Sequence, residues 1–235
     1  MHEALRQHLE LESFFTGFSL KSASPPALDP QAPVAQNQGS TGELAALVTQ
    51  IAECKKCTLC STRRQTVPGE GNPQARLMFV GEAPGADEDR QGRPFVGNAG
   101  QLLDKIIQAC GLRREDVYIA NILKCRPPGN RDPLPEEIAH CMPYLKNQIT
   151  LIAPEVIVAL GAHAARTLLD KAEGIGALRG RFWSFTAAPE AAPIKVMPTY
   201  HPAYLLHNYS TENRKRVWED MKKVMNELGI PLPAR

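Results

Sequence analysis

Four short apolar runs, each followed by an amphipathic stretch, constrain the fold of this chain more than any other feature. The runs lie at residues 75–81, 116–123, 155–161 and 194–202. Strands that alternate with helices form a parallel sheet with helices on both faces. We therefore expect an α/β fold within residues 42–235: a three-layer αβα sandwich around a central four-stranded, mainly parallel sheet.

Residues 1–41 lack this alternation. Residues 22–41 are rich in Pro, Ala, Gln and Ser, and they carry few large apolar side chains that could offset the entropy of ordering. Residues 1–41 are therefore predicted to be a flexible N-terminal extension and linker.

Hydropathy and charge limit where this protein works. The most apolar stretch, residues 151–169, contains Pro154, Glu155, His163 and Arg166, so no membrane span is predicted. The N-terminus is acidic where a signal peptide needs a basic start and an apolar run, so we expect a cytoplasmic protein. The net charge of +2, from 27 basic and 25 acidic residues, neither requires nor excludes nucleic acid.

Chemically active residue types follow three of the four predicted strands. They are Gly81 with Glu82, residues 121–125, and residues 200–202. Sites in parallel sheets form at the carboxyl ends of strands. His201 follows a strand and precedes a proline, which indicates a positioned side chain, although a structural histidine is the alternative.

The segment of residues 81–100 is acidic and glycine-rich. It carries four carboxylates, at Glu82, Asp87, Glu88 and Asp89. This density disfavours phosphate binding and suits water activation or stabilisation of a cation. Phe95 is a candidate stacking platform, and a solvated loop with a packed phenylalanine is the alternative.

Six cysteines in a chain expected to be cytoplasmic indicate metal or redox chemistry and not a disulfide framework. Cys54 and Cys57 form a C-x2-C pair, and Cys60 adds a second, overlapping pair. Cys125 and Cys141 follow much later, too far apart to form the second close pair of a zinc ribbon. Spacing alone leaves zinc and iron–sulfur ligation open. Cys110 lies among apolar neighbours and is predicted to be a buried free thiol.

Four segments together resemble the bacterial and archaeal iron–sulfur uracil-DNA glycosylases of family 4. They are GEAPG at residues 81–85, RPFVG at 93–97, Asn121 with KCRPP at 124–128, and HPAYLL at 201–206. The resemblance covers residues 42–229 and implies the uracil-DNA glycosylase fold. It implies a monofunctional enzyme that flips deoxyuridine out of DNA, hydrolyses the N-glycosidic bond and so starts base excision repair.

The resemblance also implies a cofactor. Enzymes of this family carry a structural [4Fe–4S] cluster, and their pattern selects Cys54, Cys57, Cys125 and Cys141 as its ligands. Cys60 does not occupy a ligand position of the family.

The resemblance implies a uracil pocket with named parts. Phe95 stacks on the flipped base, and the Asn121 amide donates to uracil O4 and accepts from N3–H, which rejects cytosine. His201 donates to uracil O2 as negative charge develops there. The backbone of Glu82 and Ala83 completes the pocket.

Two roles stay open within this resemblance. In related enzymes an aspartate positions the attacking water, but Ala83 stands at that position here, so Glu82, Glu88 or the backbone must take its place. Rejection of thymine needs a steric block at uracil C5, and Glu88 or its neighbours are candidates.

Contacts to DNA are also expected. Tyr204, Leu205 and Leu206 are predicted to insert into the gap that the flipped base leaves. Arg126 and Arg131 are predicted to contact phosphates, as are Arg63, Arg64 and Lys124.

Three alternative functions remain at this stage. One relative binds uracil in DNA covalently through a histidine on an extended loop, but here the loop after the second strand is short and His140 lies in the next helix, which favours turnover. An iron–sulfur redox protein would leave Phe95, Asn121 and His201 without a role. A non-catalytic DNA-binding module is the third.

The expected partner is uracil-containing DNA, bound by a monomer. Residues 8–15, with Leu11, Phe14 and Phe15, partly resemble motifs that dock on sliding clamps, although His8 stands where glutamine is usual. A loosely packed helix on a tether is the alternative.

Overall fold

The computed structural model describes residues 38–208 and 210–233, which form a sheet between two layers of helices. Its strands are β1 (Glu70–Gly71), β2 (Leu77–Gly81), β3 (Tyr118–Asn121), β4 (Val156–Leu160), β5 (Trp183–Phe185) and β6 (Ile194–Thr199). They lie in the order β1-β3-β2-β4-β6-β5. The predicted αβα sandwich is confirmed.

The strand count differs from the expectation of four. The four predicted strands are the parallel centre of the sheet, β3, β2, β4 and β6. Two short strands, β1 and β5, pair antiparallel at the two edges and make a sheet of six strands. β1 has 2 residues and β5 has 3, so neither produces an alternating pattern long enough to predict a strand.

Eight helices lie within the described residues and cover the sheet. They are α1 (Gln38–Ala52), α2 (Ala86–Gln91), α3 (Asn98–Ala109), α4 (Pro135–Ile152), α5 (Ala162–Leu169), α6 (Ile175–Leu178), α7 (Pro202–His207) and α8 (Thr211–Glu227). α1 begins slightly before Gly42, the predicted start of the globular part. Most of the predicted extension, including residues 8–15, lies outside the described residues.

Two apolar clusters, one on each face of the sheet, form the core. Along β2, Leu77 and Phe79 pack into the cluster that contains α3 and α8, whereas Met78 and Val80 pack into the cluster that contains α1 and α4. Successive side chains of a strand point to opposite faces, so a strand that is apolar throughout must be covered on both sides.

The parallel strands bring their carboxyl ends to one edge of the sheet. Gly81 of β2 lies opposite Asn121 of β3, and Leu160 of β4 lies opposite Thr199 of β6. The backbone pairing continues beyond the strands, because the N–H of Gly161 donates to the carbonyl of Thr199. This edge therefore holds the loops after β2, β3, β4 and β6 together. No helix of the described chain is long and apolar enough to cross a membrane.

Candidate functional site

Phe95, Asn121 and His201 meet at the carboxyl edge of the sheet. The rings of Phe95 and His201 lie 5.6 Å apart between centroids. A Cβ built on Gly81 would lie 2.4 Å from Asn121 Oδ1 and 2.5 Å from Phe95 Cζ. The glycine that ends β2 thus leaves room for the amide and the aromatic ring to approach each other above the strand.

Asn121 presents an unsatisfied amide oxygen in this pocket. The residue is 2% exposed, and within the part of the chain that the structure describes its Oδ1 atom has no hydrogen-bond partner. An unpaired buried acceptor costs about 1–3 kcal/mol, so it is uncommon unless a ligand satisfies it. Asn121 Oδ1 is suited to accept a hydrogen bond from a ligand N–H.

The segment that carries Phe95 has a strained backbone that its neighbours hold in place. Phe95 has φ 50°, a left-handed conformation that a phenylalanine rarely adopts. Arg114 donates to the carbonyl oxygens of Pro94 and Phe95. A Cβ on Gly100 would lie 1.9 Å from the Phe95 carbonyl oxygen, so this position requires a glycine.

Glu88 fixes the other side of the same segment. Its Oε1 atom accepts from the N–H groups of Val96 at 2.8 Å and Gly97 at 2.9 Å, and its Oε2 atom accepts from the N–H of Gly85 at 3.1 Å. All three donors are backbone groups of the loops that flank α2. The contacts make Glu88 a brace for the Phe95 segment.

His201 is held in one tautomer. The N–H of Ala203 donates to its Nδ1 atom at 3.1 Å, so the ring proton lies on Nε2 when the imidazole is neutral. Burial lowers the pKa of His201 to about 4, although the charge of Glu88 acts in the opposite direction. The side chain is therefore a neutral Nε2–H donor near pH 7.

Glu82 lies beside two other titratable side chains. His163 Nε2 at the start of α5 is 4.0 Å from Glu82 Oε2, and it is 3.5 Å from Asp132 Oδ2. Burial raises the pKa of Glu82, the His163 imidazole lowers it, and the Asp132 carboxylate raises it. Ala83 is partly buried and packs against the core. The sequence analysis did not select His163 or Asp132 as site residues, although His163 lies in the first turn of the helix that follows a predicted strand.

The predicted ligand cysteines come from three parts of the chain that the fold brings together. Cys54 and Cys57 follow α1, Cys125 follows β3, and Cys141 lies in α4. Burial raises the pKa of the Cys141 thiol, and the charges of Cys57 and Cys54 add to the increase. Thiols that influence one another electrostatically are close in space.

The four predicted ligand cysteines are chemically suited to hold an iron–sulfur cluster. Thiolates are the ligands that such clusters take from proteins, and a [4Fe–4S] cluster takes four of them. The donor set therefore fits the cluster that the resemblance implied.

Arg63 contacts this cysteine group. Its Nη1 atom donates to Cys125 Sγ at 3.1 Å, and its Nη2 atom donates to the Cys54 carbonyl at 2.8 Å. These contacts leave Arg63 poorly placed for the phosphate contact that the sequence analysis expected. Cys60 lies near Cys57, because its charge contributes to the raised pKa of the Cys57 thiol. Cys110 is fully buried, and burial raises its pKa to about 12.

Lys124 does not reach the surface, so the prediction that it contacts phosphate is wrong. It is 1% exposed, and its Nζ atom donates to the Asn121 carbonyl at 2.8 Å and to Gln148 Oε1 at 2.7 Å. Burial lowers the pKa of Lys124 to about 7. The lysine connects the segment of Cys125 to the backbone of Asn121.

The predicted insertion segment is exposed at one residue only. Tyr204 is 42% exposed and its ring stacks on that of Tyr200, with centroids 5.0 Å apart. Leu205 is 1% exposed and belongs to the core, and Leu206 packs partly against it. These residues lie in α7, and helical periodicity turns Leu205 inward while Tyr204 faces outward.

Arg126 and Arg131, two of the predicted phosphate ligands, already have protein partners. Arg126 Nε donates to Asn130 Oδ1 at 2.8 Å. Arg131 binds the buried Glu137 carboxylate with both of its terminal nitrogens. The same carboxylate accepts from the N–H of Leu134, a 41% exposed residue that the sequence analysis did not select. The loop between β3 and α4 is therefore rigidly held, and it presents an apolar side chain.

Comparison with known proteins shows what this chain is similar to. The model of the uracil DNA glycosylase superfamily matches residues 68–222. A type-4 uracil-DNA glycosylase of Saccharolobus solfataricus is 46% identical over 191 residues, which are 79% of this chain and 87% of that protein. One of Thermotoga maritima is 48% identical over 183 residues, 77% of this chain and 93% of that protein. A type-5 uracil-DNA glycosylase of Pyrobaculum aerophilum is 30% identical over 213 residues, 77% of this chain and 92% of that protein.

Proposed function

Because this chain belongs to the uracil-DNA glycosylase superfamily, we propose that Phe95, Asn121 and His201 form the pocket in which it binds uracil. The chain excises uracil from DNA, and it is a hydrolase that acts on N-glycosyl bonds in DNA repair. The roles of single residues, the cofactor and the DNA contacts are our proposals.

The unpaired Asn121 Oδ1 atom carries the assignment of the pocket. Uracil presents an N3–H donor beside the O4 acceptor, so one carboxamide can satisfy both groups at once. Cytosine presents an acceptor at N3 and a donor at position 4. It would leave the buried amide unsatisfied, which supports rejection of cytosine by a large factor.

Stacking on Phe95 offsets part of the energy needed to extrude the nucleotide. Flipping a base out of duplex DNA costs a few kcal/mol. Contact with an aromatic side chain contributes about 1–3 kcal/mol per base. The braced backbone around Phe95 supports this role, because a ring that is already held in place loses little entropy when the base arrives.

His201 stabilises the leaving group. When the bond from C1′ of the sugar to N1 of uracil breaks, the electron pair leaves with the base and negative charge develops at O2. The neutral imidazole donates its Nε2 proton as a hydrogen bond to that oxygen, while Nδ1 stays occupied by the N–H of Ala203.

Glu82 is our candidate for the group that positions the attacking water. Glu88 is less suited to this task, because its carboxylate already accepts from three backbone N–H groups. Water adds to C1′ on the side opposite the departing base, and its proton passes to the Glu82 carboxylate. In our proposal, Glu88 affects catalysis and thymine rejection indirectly, because it holds the Phe95 segment in place. The backbone of Glu82 and Ala83 lines the pocket.

Cys54, Cys57, Cys125 and Cys141 are the residues that we propose to hold a [4Fe–4S] cluster. When bound, the cluster would act structurally, by tying together the segments after α1 and β3 and the helix α4. Cys125 and Asn121 lie on the same segment, so this bracing also supports the geometry of the pocket.

We propose that Tyr204 leads the contact with the gap in the DNA, with Leu205 and Leu206 behind it as its packed support. Arg126 and Arg131 would approach phosphates while they keep their contacts to Asn130 and Glu137. We also propose that the protein acts as a cytoplasmic monomer. A sliding-clamp contact through residues 8–15 stays a proposal.

A uracil-release assay on anaerobically purified, iron-loaded protein tests the assignment. We expect wild type to release free uracil from an oligonucleotide with one dU and to leave an intact strand with dC alone. His201→Ala should keep the fold and lose about 10²–10³ in rate, because one preorganised donor is removed. Full activity of His201→Ala would contradict the role of His201, and release of no uracil by wild type would contradict the function.

A further inference from the structure

Glu82, Asp132 and His163 converge beside the pocket from three different segments. One ligand-type atom from each residue lies within 4.8 Å of the other two. Glu82 follows β2, Asp132 lies in the loop before α4, and His163 is in the first turn of α5. The convergence depends on the tertiary fold, because the three residues are far apart in the sequence.

The three side chains differ in how far solvent reaches them. The side chains of Glu82 and His163 are 30% and 35% exposed, whereas that of Asp132 is 80% exposed. His163 Nε2 is 4.0 Å from Glu82 Oε2 and 3.5 Å from Asp132 Oδ2. Because solvent screens Glu82 only partly, a charge at this distance acts on it strongly.

We infer that His163 and Asp132 are positioning residues, which hold the Glu82 carboxylate toward the attacking water. His163 favours the ionised form of Glu82, and Asp132 disfavours it. The inference rests on the proposed role of Glu82. A protonated imidazole attracts the Glu82 carboxylate and stabilises its ionised form. The Asp132 carboxylate repels the Glu82 carboxylate, and its contact with His163 also holds the imidazole in place.

The direction of each effect follows from the charges around Glu82. His163 from α5 and Asp132 from the loop before α4 are the side chains of the described chain that act on Glu82. Burial raises the pKa of Glu82, so the active carboxylate is lost as the pH falls through this raised value. Without His163 the pKa of Glu82 rises further, and without the charge of Asp132 it falls.

Single-turnover rates of uracil release, measured from pH 4.5 to 8 in buffer without added metal ions, test this inference. We expect His163→Gln to move the acid limb of the profile to higher pH and Asp132→Asn to move it to lower pH, each by about 0.5 pH unit or more. Asp132→Glu, which restores the charge, should restore the wild-type limb. Thermal unfolding of each variant checks that the fold is kept.

Matched controls are available on the neighbouring helix α4. His140 and Glu136 are exposed and lie outside the pocket, so His140→Gln and Glu136→Gln should leave the profile unchanged. A purely structural role for His163 would lower the rate equally at every pH.

Glu82→Gln separates the possible failures. If this variant keeps the wild-type rate, Glu82 does not position the water and the inference is overturned with it. If Glu82→Gln is inactive but the limbs of His163→Gln and Asp132→Asn coincide with wild type, the inference alone is overturned. If wild type releases no uracil, the proposed function fails first.

Discussion

The size of the side chain that a pocket position can carry is limited by the atoms directly next to it. Gly81 shows this most clearly, because the space above it is occupied from both sides by Asn121 Oδ1 and the ring of Phe95. A side chain at this position would displace the two groups that are proposed to recognise the base. The glycine thus serves the site itself as well as the end of β2.

Gly81→Ala is expected to reduce uracil release more than tenfold. The added Cβ would lie within 2.5 Å of both neighbours, so Asn121 or Phe95 must move. Overpacking of this kind also lowers the free energy of unfolding by about 1–3 kcal/mol. Gly176→Ala is the control, since no atom lies within 4 Å of its added Cβ. Wild-type kcat/KM for Gly81→Ala would contradict this description of the pocket.

Glu82 and Glu88 should differ in what their substitution changes. Glu88→Gln places an NH₂ group near backbone N–H donors, so we expect a loss of about 1–3 kcal/mol in the free energy of unfolding and a higher KM. Glu82→Gln should lower kcat with little change in stability. Urea unfolding and steady-state kinetics of both variants provide the test, and Asp87→Asn at an exposed ion pair is the control. An unchanged stability of Glu88→Gln would refute the bracing role.

The short helix α7 depends on the same histidine that is proposed to assist catalysis. His201 is its N-cap, and its Nδ1 atom accepts from the N–H of Ala203. A protonated ring carries a proton on both nitrogens and can no longer accept this bond. The cap and the orientation of Nε2–H therefore require the neutral imidazole.

The free energy of unfolding should fall as the pH drops from about 6.5 to about 4. The pKa of His201 is lowered to about 4 in the folded protein, whereas an unfolded histidine titrates near 6.5, so the unfolded state binds the proton first. Asn also caps helices, so His201→Asn should keep α7 and flatten this dependence. Urea unfolding at pH 7, 6 and 5 measures the slope. His207→Asn, at an exposed histidine of the same helix, should keep the wild-type slope.

The sequence predicted elements well where the apolar pattern was long enough. The four parallel strands and the residues at their carboxyl ends were found because buried parallel strands are apolar throughout. β1 and β5 were missed because pairing with a neighbour, and not their own pattern, makes them strands.

Tertiary contacts explain the remaining errors. Lys124 looks like a surface charge in the sequence, but it is buried and binds the carbonyl of Asn121. His163 and Asp132 were missed for a related reason, since only folding brings them to Glu82. No spacing along the chain could have revealed these contacts.

Over the whole molecule, the cysteine group connects parts of the chain that are far apart in sequence. It joins the segment after α1, the segment after β3 and the helix α4. The contacts of Arg63 and Lys124 extend this connection to the Cys54 carbonyl and to Asn121. Loss of the proposed cluster should therefore loosen both the fold and the pocket.

Removal of iron by a chelator is expected to lower the Tm by about 4 °C or more, the shift that 1–2 kcal/mol produces in a domain of this size. Cys141→Ser should lower the iron content and the Tm, because one proposed ligand is lost. Cys60→Ser and Cys110→Ala should bind the wild-type amount of iron. Iron and sulfide analysis together with calorimetry distinguishes the ligand variant from the two control variants. A full iron content in Cys141→Ser would argue against the proposed ligands.

The two short edge strands have a consequence for self-association. Within the described residues, a second copy that tried to extend the sheet would find only the 2 residues of β1 at one border and the 3 residues of β5 at the other. So few open backbone groups give an incoming strand little to pair with, which protects the protein from edge-to-edge aggregation. The border strands that were hardest to recognise thus help to keep neighbouring molecules apart at high concentration.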